Sequence, residues 1–146
     1  MPDTSPQAPL PSADQTQSDL KRGVILVAED DSFLRNMLCE KLKRDGFEVH
    51  EAINGKEALD FLKTNKPMLM LLDLIMPGVD GFQVLESVRK EERIKDLPVI
   101  ILSNVGEKHL IERIQALGAD DYLIKAHFML EEIIERINKV LRKRYI

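Results

Sequence analysis

The chain contains the stretch Met68-Leu-Met-Leu-Leu-Asp73-Leu-Ile-Met-Pro77-Gly-Val-Asp-Gly81, in which an apolar run leads into one carboxylate and then a turn. Continuous apolar residues bounded by turn residues are typical of a strand that is buried on both faces of a parallel sheet. Asp73 then lies at the carboxyl end of a central strand, where open α/β sheets place their ligands and chemistry. The alternative is that Asp73 only caps the turn, by accepting hydrogen bonds from nearby backbone N–H groups.

Length and composition indicate one globular domain that follows a tail. The chain has 146 residues, of which 44% are hydrophobic, which is enough to build one buried core. Residues 1–20 contain four of the seven prolines, interspersed with Ser, Thr, Gln and Asp. Such a segment has too little apolar surface to order itself, so we expect a flexible tail there and a domain over residues 21–146.

Charge and cysteine content narrow the class of protein. The formal net charge of −4 offers no basic footprint, so we expect no direct binding to nucleic acid. Cys39 is the single cysteine, which excludes an internal disulfide, fits a reducing compartment and is expected to be an inert buried thiol. No signal-peptide pattern occurs, and no apolar run reaches the ~18 residues of a membrane span. These features predict a cytoplasmic protein without membrane insertion.

Hydrophobic patterns on both sides of the opening stretch predict five strands that alternate with five helices. The strands are expected at residues 24–28, 47–52, 68–72, 98–102 and 122–124. We expect Ser32 to cap the first helix, whose core-facing side carries Phe33, Met37, Leu38 and Leu42. This alternation predicts an α/β fold with a doubly wound parallel sheet, right-handed crossovers and the flavodoxin-like strand order 2-1-3-4-5.

Polar side chains follow four of these strands and would gather at one edge of the sheet. They are Glu29 and Asp30 after the first strand, Asp73 after the third, Ser103 after the fourth and Lys125 after the fifth. Three carboxylates in one cleft repel each other unless a cation lies among them, and hard oxygen ligands suit Mg²⁺. A lysine and a hydroxyl suit phosphoryl oxygens. The set therefore predicts phosphoryl transfer to a carboxylate nucleophile.

Four blocks of sequence at these strand ends resemble the receiver domain of two-component response regulators. The resemblance covers residues 23 to about 143 and is carried by Ile25-Leu-Val-Ala-Glu29-Asp30-Asp31, Leu72-Asp73-Leu-Ile-Met-Pro77-Gly-Val-Asp-Gly81, Ile101-Leu-Ser103 and Gly118-Ala-Asp-Asp-Tyr122-Leu-Ile-Lys125. The four blocks in this order are specific, although no single block would be. The resemblance implies a stand-alone, chemotaxis-regulator-like receiver, which would have no output domain of its own.

The resemblance implies a phosphorylation site with a metal ion. Asp73 would accept the phosphoryl group from a histidine kinase or a histidine phosphotransfer protein. Glu29, Asp30 and Asp73, together with the backbone carbonyl of Ile75, would hold Mg²⁺, with Glu29 acting through a water molecule.

The resemblance also implies a switch that reports phosphorylation to a partner. Ser103 and Lys125 would bind the phosphoryl oxygens. Ser103 and Tyr122 would be the switch residues, and Tyr122 would turn inward on activation. The fourth helix, fifth strand and fifth helix would then bind a downstream effector protein.

Two positions depart from the family pattern beside the expected site. Many family members have proline after the lysine, usually with a cis peptide, but this chain has Ala126. A cis bond before alanine costs about 3–4 kcal/mol, yet functional sites can hold such strain, and we expect the cis form to survive here. Asn104 replaces a smaller Ala or Gly after Ser103 and is expected to narrow access to Asp73.

The same residues disfavour three rival functions. An aspartyl-phosphate hydrolase needs a second Asp two residues after its nucleophile, where this chain has Ile75. A flavin carrier needs a Ser/Thr/Gly-rich phosphate loop after the first strand, where this chain has acids. A degenerate receiver scaffold, which binds partners without phosphorylation, is disfavoured by the complete set of acids, hydroxyl and lysine. We therefore expect that this protein is not an enzyme.

The lifetime of the phosphorylated form is expected to be long. By analogy with the family, Ile75 and Val105 flank the path of the water that would hydrolyse the aspartyl phosphate. Neither side chain can hydrogen-bond that water, and both are branched.

Overall fold

The computed structural model describes residues 22–145 and shows a five-stranded parallel sheet with helices on both faces. The strands, named β1 to β5 in chain order, are Val24–Ala28, Glu48–Ala52, Leu69–Leu72, Val99–Ser103 and Asp121–Ile124. The helices, named α1 to α5, are Ser32–Arg44, Gly55–Thr64, Gly81–Lys90, Lys108–Ala116 and Leu130–Tyr145. A 3-10 turn at Lys125–His127 joins β5 to α5. The tail predicted at residues 1–20 lies outside the described residues.

The strand order is β2-β1-β3-β4-β5 with every pairing parallel, so the predicted fold class is confirmed. The register brings strand ends together at one edge of the sheet. Ala28 of β1 pairs with Leu72 of β3, so the acids that follow each of them leave the sheet side by side. Ser103 of β4 pairs with Ile124 of β5, which places the next residue, Lys125, beside the end of β4.

The core lies in two layers because side chains of a buried strand alternate between the two faces of the sheet. In β3, Met70 and Leu72 pack into the layer with α2 and α3, whereas Leu69 and Leu71 pack into the layer with α1 and α5. All four of these side chains are buried. The strand that carries Asp73 is thus fixed from both sides. Between residues 22 and 145 no helix is both long enough and apolar enough to cross a membrane.

The start of α1 differs from the prediction. Asp31, and not Ser32, is the N-cap, because the Asp31 carboxylate accepts hydrogen bonds from the N–H groups of Phe33 at 3.0 Å and Leu34 at 3.3 Å. Aspartate and serine are similarly good caps, so residue type alone did not separate the two neighbours.

The buried side of α1 is also narrower than predicted. Leu38, Cys39 and Leu42 are buried, whereas Phe33 is 74% exposed and Met37 is 37% exposed. Burial raises the pKa of the Cys39 thiol to about 11, as expected for an inert thiol. The two exposed residues lie at the edge of the helix, where they border a groove against Phe128.

Candidate functional site

Three acids lie together where β1 and β3 end. One carboxylate oxygen from each of Glu29, Asp30 and Asp73 lies within 4.8 Å of the other two. Glu29 is 2% exposed and Asp73 is 4% exposed, whereas Asp30 faces solvent. The structure therefore brings the predicted acids into one cleft that is open on the side of Asp30.

Lys125 reaches across the cleft from the turn after β5. Its Nζ lies 2.9 Å from Asp73 Oδ2 and 2.9 Å from Glu29 Oε1. Burial alone would lower the pKa of Lys125, but hydrogen bonds and charge from Asp73 and Glu29 outweigh burial and raise it. The ammonium group consequently remains charged and bridges the two buried acids.

The surroundings of Glu29 disfavour its charged form even with Lys125 beside it. Burial is the main reason that the pKa of Glu29 is raised to about 7. The hydrogen bond from Lys125 acts against this rise, and the negative charge of Asp73 adds to it. One lysine thus compensates the three acids incompletely, which favours a cation in the cleft.

The Lys125–Ala126 peptide bond is trans, as are the other peptide bonds among residues 22–145, so the predicted cis bond is wrong. The 3-10 turn at Lys125–His127 directs the lysine into the cleft from a trans peptide. The cost of about 3–4 kcal/mol for a cis bond before a residue other than proline is thereby avoided. Ala126 also keeps an N–H group, which donates to Asn104 Oδ1 at 3.2 Å.

Asp73 takes part in both the turn and the cleft. Its Oδ1 accepts a hydrogen bond from the N–H of Ile75 at 3.2 Å, as a turn-capping residue does, while Oδ2 contacts Lys125. Gly81 permits the next helix to start close by, because a Cβ at this position would lie 2.3 Å from the carbonyl oxygen of Asp73. Asp80 and Gln83 form a capping box that fixes this start of α3.

Arg35 supports the acidic turn and was missed by the sequence analysis. Its Nη1 donates to the carbonyl oxygen of Glu29 at 2.8 Å and to that of Asp30 at 3.4 Å. Its Nε forms an ion pair with Glu51 Oε1 at 3.1 Å. A basic residue one helical turn after an acidic pair was the available signal.

Ser103 and Tyr122 come from β4 and β5, the two strands that follow β3 on the side away from β1. Ser103 is buried at the end of β4, and its Oγ accepts a long contact of 3.5 Å from the N–H of Val105. The Tyr122 hydroxyl donates to the carbonyl oxygen of Val105. Burial, followed by the negative charge of Asp73, raises the pKa of Tyr122. Both side chains therefore contact the loop that follows β4.

A doubly wound sheet with acids, a lysine and a hydroxyl at its carboxyl edge defines the class of α/β domains that handle phosphoryl groups beside a divalent cation. The family described as "Response regulator receiver domain" matches residues 25–138 of this chain. The chain belongs to this family. Receiver domains are phosphorylated and generally bind Mg²⁺ at an acidic pocket, and the donor set of Glu29, Asp30 and Asp73 fits such an ion.

The curated relatives include transcriptional regulators that are longer than this chain. The DNA-binding dual master transcriptional regulator RpaA of Synechocystis sp. is 36% identical over 121 residues, which are 82% of this chain and 49% of that protein. The transcriptional regulatory protein SrrA of Staphylococcus aureus is 38% identical over 120 residues, which are 82% of this chain and 48% of that protein. The chain thus spans about half the length of these relatives.

Solved structures of receiver domains share the fold over most of their length. The receiver domain of the Francisella response regulator 1452 matches with a TM-score of 0.75 at 35% identity, covering 84% of this chain and 98% of that one. The non-phosphorylated HemR receiver domain from Leptospira biflexa matches with a TM-score of 0.76 at 33% identity, covering 82% and 94%.

Proposed function

We propose that this receiver domain accepts a phosphoryl group on Asp73 from a histidine kinase or a histidine phosphotransfer protein. The observation that carries the proposal is the buried Asp73 carboxylate, held 2.9 Å from the Lys125 ammonium and beside two further acids. A carboxylate that is oriented in this way is a nucleophile whose charge is already partly balanced.

Mg²⁺ is the cofactor that the acids would hold. Its ligands would be Glu29, Asp30, Asp73 and the backbone carbonyl of Ile75, with Glu29 acting through water. When bound, Mg²⁺ supplies positive charge that lets an anionic phosphoryl donor approach the cleft.

The side chains of the cleft then have distinct roles in the transfer. A carboxylate oxygen of Asp73 forms a bond to phosphorus while the bond between phosphorus and the donor imidazole nitrogen breaks. The leaving imidazole keeps the electron pair and takes up a proton. Lys125 exchanges its contact with Asp73 for a phosphoryl oxygen, and the Ser103 hydroxyl donates to another phosphoryl oxygen.

The signal would leave the molecule through the face formed by α4, β5 and α5. Ser103 and Tyr122 connect the cleft to this face, because Tyr122 already bonds the loop after β4. A groove on this face is lined by Ile111, Gln115, Tyr122, Ile124, His127 and Phe128. A downstream effector protein that distinguishes the phosphorylated form would bind there.

The rival hydrolase function lacks its general acid. The position two residues after Asp73 carries the apolar side chain of Ile75, which is 61% exposed and has no proton to give. A scaffold that works without phosphorylation gains no support, since the acids and the lysine are assembled in contact.

The test is labelling by acetyl phosphate, followed on Phos-tag gels, with Mg²⁺ and with excess EDTA. We expect labelling of the wild type only with Mg²⁺, and none of Asp73→Asn, because the amide is not a nucleophile. The matched control is Asp60→Asn, since Asp60 is an exposed aspartate on α2 that pairs only with surface lysines in the structure. Persistent labelling of Asp73→Asn, or full labelling in EDTA, contradicts the proposal.

A further inference from the structure

The two positions at which this chain departs from the usual receiver sequence contact each other. The N–H of Ala126 donates to Oδ1 of Asn104 at 3.2 Å. Proline at position 126 would have no N–H to donate, and a small residue at position 104 would have no side-chain carbonyl to accept. The bond therefore requires both departures together.

This hydrogen bond spans the candidate site. Asn104 follows Ser103 directly and begins the loop between β4 and α4, whereas Ala126 follows Lys125 directly in the 3-10 turn. Each bonded residue thus directly follows a residue that would bind the phosphoryl oxygens, namely Ser103 before Asn104 and Lys125 before Ala126. A second bond between the same regions runs from the Tyr122 hydroxyl to the carbonyl oxygen of Val105.

The turn that carries Lys125 joins the sheet at one edge, and its lysine also contacts Glu29 and Asp73. The turn follows β5, which among residues 22–145 is an edge strand of the sheet and pairs with β4 alone. The bond that closes the 3-10 turn, from the N–H of Phe128 to the carbonyl oxygen of Lys125, is long at 3.5 Å. The bond to Asn104 is shorter and runs to the residue that follows β4, a strand paired on both sides by β3 and β5.

We infer that Asn104 is a positioning residue, which holds the Lys125 turn through the Ala126 N–H and so fixes the lysine relative to Ser103 and Asp73. The inference rests on the proposed function, since it assigns a second residue to the same site. It reverses the expectation from sequence, in which the bulk of Asn104 only obstructs the approach to Asp73. The two roles predict opposite effects of Asn104→Ala on the rate of phosphorylation. If the side chain obstructs the site, its removal speeds phosphorylation, and if it supports the lysine, its removal slows phosphorylation.

The expected effect is moderate because the bond is solvent-exposed. Loss of one such hydrogen bond should slow labelling of Asp73 by roughly three- to tenfold. Because the support acts through the lysine, the same change should alter the rate by less than about twofold once Lys125 is replaced.

The experiment compares four proteins: wild type, Asn104→Ala, Lys125→Met and the double variant. Labelling by acetyl phosphate with Mg²⁺ gives the rates, and hydrogen exchange of the Ala126 amide proton reports the bond directly. Glu107→Gln is the matched control, because Glu107 is an exposed residue of the same loop whose side chain forms no cap hydrogen bond. We expect slower labelling and faster Ala126 exchange in Asn104→Ala, and the wild-type values in Glu107→Gln.

The outcomes separate this inference from the proposed function. Absence of labelling in the wild type overturns the proposed function itself. Wild-type labelling with an equal or faster rate in Asn104→Ala overturns only the positioning role. If Asn104→Ala slows labelling by the same factor in the Lys125→Met background as in the wild type, the positioning role is also overturned. Such a result would show an effect that does not act through the lysine. Unchanged hydrogen exchange of the Ala126 amide proton in Asn104→Ala overturns it as well. This readout can be measured even if the Lys125 variants are labelled too slowly to compare rates.

Discussion

Lys125 is the residue on which the electrostatics of the cleft depend. It contacts Glu29 and Asp73 at 2.9 Å each, and both acids are almost fully buried. Attraction between charges at this distance is strong inside a protein, but the cost of removing three charged groups from water offsets much of it. The lysine therefore holds the two acids in place but does not fully balance the negative charge of the cleft. A cation can still bind favourably to the acids, and a phosphoryl group can bind favourably to the lysine.

Ile75 and Val105 lead to a prediction about the lifetime of the phosphorylated form. Ile75 is 61% exposed beside Asp73, and Val105 is half-buried two residues after Ser103. A polar side chain at either position could orient the attacking water, so Ile75→Asn and Val105→Glu should each speed loss of phosphate. One orienting hydrogen bond corresponds to roughly several-fold to tenfold in rate. The measurement is release of phosphate from purified, labelled protein in Mg²⁺.

Ile53→Asn is the matched control for this lifetime, because Ile53 is also an exposed isoleucine but follows the end of β2. We expect its rate to equal that of the wild type. If the variant with both Ile75→Asn and Val105→Glu loses phosphate no faster than the wild type, these apolar positions do not set the lifetime.

At the scale of single elements, the strands were easier to predict than the ends of the helices. A run such as Leu69–Leu72 is apolar on both faces, and few structures other than a central strand bury such a run. The first helix was placed correctly, but Asp31 caps it instead of Ser32. The periodicity predicts that Phe33 faces the core, but the side chain is 74% exposed. Periodicity does not show how wide a face the neighbouring elements cover.

The start of α3 gives a prediction for one element. A Cβ at Gly81 would lie 2.3 Å from the carbonyl oxygen of Asp73 and 2.6 Å from Cα of Leu74, both of which are backbone atoms. Gly81→Ala should therefore push the helix away from the strand and destabilise the fold by about 2–3 kcal/mol. Urea denaturation measures this loss, and acetyl phosphate labelling should also slow because Asp73 shifts.

Gly106→Ala is the matched control for the helix start. A Cβ at Gly106 would lie 3.5 Å from Cδ1 of Ile124, which is an ordinary contact, and its backbone is outside the positive-φ region. We expect its free energy of unfolding to stay within about 0.5 kcal/mol of the wild type. An equal effect of the two substitutions would show that the close approach at Gly81 is unimportant.

At the scale of the whole molecule, topology explains why so much of the site could be predicted. Once the strand order is known, residues at the carboxyl ends of β1, β3, β4 and β5 must share one edge, so the acids, Ser103 and Lys125 follow. The trans peptide after Lys125 and the contact between Asn104 and Ala126 could not be predicted. Both depend on how two loops meet, and no periodic pattern in the sequence records that. The expectation that the receiver works without an output domain stays a prediction, since the matched segment covers about half the length of the curated relatives.

The same topology predicts that Mg²⁺ stabilises the whole fold. Glu29, Asp30 and Asp73 are brought together only by the pairing of β1 with β3, so the unfolded chain has no comparable site. A ligand that binds only the folded state raises the free energy of unfolding, by about 1.4 kcal/mol at ten times its dissociation constant. Urea unfolding at increasing Mg²⁺, with EDTA as the zero point, should show this rise in the wild type.

Asp30→Asn should respond much more weakly, because it loses the exposed ligand, whereas Asp60→Asn on α2 should respond as the wild type does. Equal responses of the wild type and Asp30→Asn would mean that Mg²⁺ stabilises the protein from somewhere other than this cleft.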